Sequence, residues 1–156
     1  MSFREKAAWI SLFTTLILWG GYFGHFFTAF EAGGPSLASL FANFGSTVVM
    51  VVVVQVVLAI VLALLAPKDA NTPPDERERL IGLRAAALAY HLMAGALVVV
   101  VLGAPALAVY GAHQFGAQAT LASTAVLMAN GILLCLVLGE VIRETSQIVQ
   151  FRKDAA

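Results

Sequence analysis

The chain has 156 residues, 60% of them hydrophobic and 12% charged, with nine basic residues balanced by nine acidic ones. A soluble domain carries about 45–50% apolar and about 25% charged residues, so this composition excludes a soluble globular protein. The charge balance gives no footing for a nucleic-acid partner. Between Ala7 and Pro67 the only charged residue is Glu31, and between Ala85 and Gly139 there is none. The solvent these residues require is lipid, and the whole chain, 1–156, reads as a single membrane domain.

A bilayer core about 30 Å thick needs roughly 20 apolar residues per helix. Four stretches qualify, at about 7–29, 46–66, 82–109 and 120–142. The expected fold is therefore all-α, a polytopic up-down bundle of four transmembrane helices. The first span follows Arg4 and Lys6 like a secretory signal, but its apolar stretch exceeds a signal's 7–15 residues, so it is expected to stay attached. Gly20 and Gly24 form a GxxxG suited to internal packing or to dimerisation. Ser11, Thr15, Tyr22 and His25 share one side of this helix.

After Gly33, Gly34 and Pro35, Ser36 is a plausible N-cap, and Leu37, Leu40, Phe41 and Phe44 repeat at helical spacing. The expectation is a short helix lying in the outer interface, with a loop anchored by two Phe as the alternative. In the second span Val48–Val54 is a nearly unbroken β-branched run. A lone strand in lipid leaves its backbone groups unpaired, so a helix is expected here too.

Between the second and third spans, Thr72 resembles an N-cap, with Pro73 at the first helical position and Asp75 three residues on. The third span ends or kinks at Gly103-Ala104-Pro105, because proline lacks a backbone donor and crowds the preceding turn. Beyond the fourth span Val141, Thr145, Ile148 and Val149 continue at helical spacing among charges, predicting an amphipathic C-terminal extension. The lone Cys135 sits in apolar surroundings as a packing residue.

Every Lys and Arg falls at the N-terminus, between spans two and three, or after span four. The positive-inside rule makes that side cytoplasmic, so both termini are expected inside, in the cytoplasmic (inner) membrane of a bacterium. The opposite face has no basic residue and is rich in rings, among them Tyr22, Phe23, Phe26, Phe30, Phe44 and Tyr110, which favour the interface.

Polar groups within the hydrocarbon usually face the bundle interior. By helix rise Gln55, His91 and Asn130 all lie near mid-depth. They are candidates for a ligand site or pathway, with His91 able to pass a proton or bind a ligand, or for hydrogen bonds that set helix register. His91 shares a face with Arg84, Ala87, Ala94 and Gly95, which is expected to point inward. At the inner end Arg84 and Glu140 reach one depth as a candidate ion pair, with Arg143 as a competing partner for Glu140.

No metal motif or cofactor is predicted. The weak candidates for a metal are His25, His113 and Glu31, set against interfacial histidines in wet loops. A separation of about 13 Å by helix rise argues against His25 and His91 as joint haem ligands. There is no GxSxG, HExxH, P-loop or dinucleotide fingerprint, which points away from an enzyme.

The run Pro74-Asp75-Glu76-Arg77-Glu78-Arg79-Leu80-Ile81, placed between the second and third of four helices after Arg4-Glu5-Lys6, resembles small uncharacterised prokaryotic membrane proteins of a domain-of-unknown-function type. Those carry a cytosolic DER segment. The resemblance implies the four-helix topology and brings no catalytic residue with it. Arg4-Glu5-Lys6 and Arg77-Glu78-Arg79 also echo one another, each opening a hairpin. The favoured expectation is a non-enzymatic accessory or regulatory subunit meeting a membrane partner, or a second copy, through Asp75, Glu76, Arg77, Glu78 and Arg79 and the C-terminal tail. The alternatives are a small oligomeric transporter or channel lined by His91, Gln55 and Asn130, and a haem- or metal-binding redox component.

Overall fold

The computed structural model describes residues 3–32, 36–67, 72–115 and 120–153, and every extended element among them is a helix. In chain order these are α1 (Phe3–Glu31), α2 (Leu37–Leu65), α3 (Glu76–Leu102), α4 (Ala104–Phe115) and α5 (Thr120–Lys153). α1, α2, α3 and α5 are each long and apolar enough to cross a membrane. The valine run of α2 is helical, because only a helix satisfies its backbone without a neighbouring strand.

The chain's punctuation accounts for the ends. Ser36 caps α2, its hydroxyl accepting from the Ser39 N–H at 3.2 Å. Residues 37–44 are helical as expected, but they are continuous with α2 and do not form a separate interfacial helix. Nothing in that stretch breaks the ladder, since the Gly-Gly-Pro punctuation precedes the cap. The start of α3 lies later than the sequence suggested. Its cap is Asp75, not Thr72, with the carboxylate accepting from the Glu78 N–H at 2.6 Å. A carboxylate is a better acceptor for the helix N-terminus than a hydroxyl, and Pro73 and Pro74 hold the residues before them out of the helical region. α3 ends at Gly103, and Pro105 sits in the first turn of α4, where its missing N–H costs nothing. α5 runs unbroken to Lys153, so the amphipathic extension continues the last spanning helix.

The helices pack in the order α2, α1, α5, α3, with α4 lying against α5. α2 packs substantially on α1 alone, so the ring expected of an up-down bundle is open between α2 and α3. Lipid supplies no hydrophobic drive to close it; close packing requires small residues or paired polar groups. α3 and α5 have the small residues. Ala85 and Ala89 are buried on α3, and on α5 a Cβ added at Gly139 would stand 3.2 Å from Met93 Sδ, and one at Gly131 3.3 Å from Val100 Cγ1. α1 meets α5 through Ala8, Leu12 and Ile148 at one end and through the Tyr22–Asn130 hydrogen bond farther along, where Phe23, Phe26 and Phe30 of α1 are buried as well. Phe30 stacks on Tyr110 of α4 with centroids 6.4 Å apart. Four of the rings expected at an interface are therefore interior packing groups.

Candidate functional site

Of the three mid-depth polar residues, only Asn130 is buried between helices. Tyr22 on α1 donates its hydroxyl to Asn130 Oδ1 at 2.8 Å, and Asn130 Nδ2 donates to the Val126 carbonyl at 3.0 Å. The pair forms one polar wall of a cleft of about 320 Å³, otherwise lined by apolar groups such as Phe41, Phe44, Leu133 and Leu136. Asn130 thus serves as an interhelical tie. The sequence had placed Tyr22 on a polar stripe without naming it as the partner, because the angular match of α1 to α5 is a tertiary property.

Gln55 and His91 are not brought to that cleft. Gln55 lies half-buried on α2 and has no side-chain hydrogen bond among the described residues. His91 is exposed on α3, with Nδ1 2.6 Å from the Ala87 carbonyl one turn back. The inward face expected for α3 is corrected accordingly: Arg84, Ala87 and His91 are exposed, and Ile81, Ala85 and Ala89 face α5. α3 carries two rows of small residues, and a sequence cannot say which row the neighbouring glycines will select. The three polar residues consequently do not line one path within a single chain.

The expected Arg84–Glu140 pair is also absent among the described residues. Glu140 pairs with Arg143 one turn along α5, the competing partner, and the same guanidinium donates to Glu144 at 2.7 Å. Local pairing wins because residues i and i+3 of one helix are neighbours in any fold. Glu144 is only 4% exposed, so Arg143 compensates a carboxylate that the packing of α5 has removed from solvent.

Two further pairs tie the helices together at this end. Arg4 Nε donates to Glu78 Oε2 at 3.1 Å, joining α1 to α3, and Arg152 Nε donates to Glu5 Oε1 at 3.1 Å, joining α5 to α1. Glu5 is buried. The two echoing triplets therefore meet in space, Arg4 of the first with Glu78 of the second. Of the segment expected to face a partner, Asp75 caps α3 and Glu78 holds Arg4, leaving Glu76 and Arg79 as exposed charges with no ion pair among the described residues. Between α1, α3 and α5 lies a cleft of about 550 Å³ where Arg4, Arg79 and Arg143 are offset by Glu78 and Glu144.

His25, Glu31 and His113 are all exposed, and no group of three His, Cys, Asp or Glu side chains able to hold a metal occurs among the described residues. Cys135 is buried as a free thiol. Gly20 and Gly24 have nothing within 4 Å of an added Cβ, so this GxxxG makes no close helix contact among the described residues. No protein-family model, curated protein or solved structure matches this chain.

Proposed function

We propose that this protein acts by association in the membrane: a non-enzymatic accessory or regulatory subunit of a bacterial inner membrane, with both termini in the cytoplasm. The observation that carries this reading is the position of Gln55 and His91 on the two edge helices of an open row. Both sit near mid-depth by helix rise, and neither meets a polar side chain of another helix among the described residues. A polar side chain in hydrocarbon is costly until it finds a partner, and a further transmembrane helix supplies one. The GxxxG face of α1 adds a surface on which another helix can approach closely. A second copy of the chain or another membrane protein fits these edges equally, while the charged cytosolic end sets orientation.

The test is native mass spectrometry of the full-length protein from a mild detergent, comparing wild type with Gln55→Leu/His91→Leu. The expected result is a wild-type assembly of defined stoichiometry that the double variant weakens by about tenfold in apparent Kd, two interhelical hydrogen bonds of about 0.6 kcal/mol each. A wild-type chain that is monomeric, carries no other membrane protein and behaves like the double variant would overturn the reading. The transport alternative makes a different prediction, flux in liposomes that His91→Ala abolishes.

A further inference from the structure

Two grooves flank α1, α3 and α5 at the charged end, and their electrostatics differ. In the cleft described above, three arginines stand beside two glutamates, which hold Arg4 and Arg143. The second groove, about 570 Å³, runs between α3 and α5 and is lined by Arg77, Arg84 and Lys153, with no carboxylate lining it among the described residues. Arg84 and Lys153 have neither an ion pair nor a side-chain hydrogen bond among the described residues. Ser146 and Gln150 add neutral hydrogen-bonding groups on the α5 side, Ser146 already accepting from Gln150 Nε2 at 3.0 Å.

The groove is also graded along its length. On α3, Arg77, Leu80, Arg84 and Leu88 occupy one face at offsets of three, seven and eleven. From Arg77 to Leu88 the helix rises about 16 Å, from a charged end toward the stretch without Asp, Glu, Lys or Arg that begins at Ala85. Leu80 and Leu88 are both exposed.

The geometry points to a binding site for one anionic phospholipid, its phosphate held by Arg84 and Lys153 and its acyl chain laid along Leu88 and the uncharged stretch of α3 beyond it. Three features select this ligand. The positive charge of Arg84 and Lys153, which have no ion pair among the described residues, selects an anion, since basic pockets between transmembrane helices at the cytoplasmic side recognise phosphorylated headgroups. Arg84 presents a planar fork that matches phosphate oxygens. The apolar continuation selects an anion that carries a hydrocarbon chain, which a free phosphate lacks. The inference does not depend on association: it rests on Arg84 and Lys153 at the charged end of the α3–α5 groove, whereas the partner edges are Gln55 on α2 and His91 two turns farther along α3, near mid-depth.

The experiment uses the full chain in mixed micelles with equimolar phosphatidylglycerol and phosphatidylcholine, reading retained lipid by native mass spectrometry. Wild type is expected to retain phosphatidylglycerol about thirtyfold over phosphatidylcholine, as two cations near a membrane surface provide. Arg84→Ala/Lys153→Ala brings that ratio to near parity, Arg84→Lys keeps most of it, and Arg79→Ala, in the other cleft, leaves it unchanged. Arg84→Lys guards against a folding defect, because it preserves charge at the same position. A preference of that size that survives in the double variant overturns the assignment, as does an equal loss in Arg79→Ala. Displacement of the lipid by 10-fold excess inorganic phosphate would show a free-anion site and also overturn it.

Discussion

The seam between α3 and α5 and the seam between α1 and α2 each join two helices long and apolar enough to cross a membrane, yet they are built differently. Across the first, Gly139 admits Met93 and Gly131 admits Val100, while Ala85 and Ala89 let the helices approach. Across the second, α2 brings mainly valine and leucine, and Val52, Val53, Val56 and Val57 remain at least half exposed. Apolarity alone therefore does not specify packing in a chain of this composition. Small side chains and paired polar groups do, because lipid solvates valine as well as another helix does.

The comparison can be broken most sharply at α5. Arg143→Ala leaves the buried Glu144 carboxylate without its compensating cation and is expected to destabilise the fold by about 3 kcal/mol. Unfolding in mixed micelles followed by circular dichroism measures this, and Glu144→Gln added to that variant is expected to recover more than half. Gly139→Val is next. Its side chain meets Met93 at the tightest point of the α3–α5 seam, for an expected loss of about 2 kcal/mol. The same assay on Gly20→Val, where a Cβ meets nothing within 4 Å among the described residues, should show little change in a monomer, and an equal loss there would contradict the packing order.

Tyr22→Phe removes the hydroxyl that ties α1 to Asn130 and is expected to cost about 0.6 kcal/mol, the average for an interhelical bond in a membrane. A cost above about 2 kcal/mol would mean that the Tyr22–Asn130 tie contributes far more than register. The smallest effect is expected on α2. Val53→Ala, at a side chain 54% exposed, should stay within about 0.5 kcal/mol of wild type. A larger loss would place a helix of this or another chain over that face.

Much of the architecture was readable without coordinates. Hydropathy marked every spanning helix, because a membrane demands length and apolarity from the segment itself. Pro105 marked the break after Leu102, since a missing N–H acts wherever the chain goes. The caps were readable in kind, and Ser36 was read correctly. Asp75 was noticed as a first-turn acid and not as the cap, because Thr72 offered a cap geometry that two prolines then disfavoured. The candidate site was far less legible. His91 was assigned to the inner face from the small residues beside it, and Arg84 to Glu140 from equal depth. Equal height along the helix does not pair Arg84 with Glu140, and a shared row of small residues does not turn His91 inward; rotation of α3 relative to its neighbours decides both, and sequence leaves that open when a helix is apolar all round.

The number of spanning helices, the crowding of basic residues at one set of ends and the place of the chain break after α3 are properties of the sequence by itself. They follow from local rules: the thickness of hydrocarbon, the clustering of Lys and Arg, and the absence of an amide hydrogen on proline. Which helices touch, which of two small-residue rows on α3 is covered, and which carboxylate each arginine meets were decided only in three dimensions. Those choices rest on differences of about 1 kcal/mol between nearly equivalent apolar faces, and the fit of Met93 over Gly139 and of Tyr22 against Asn130 selects among them.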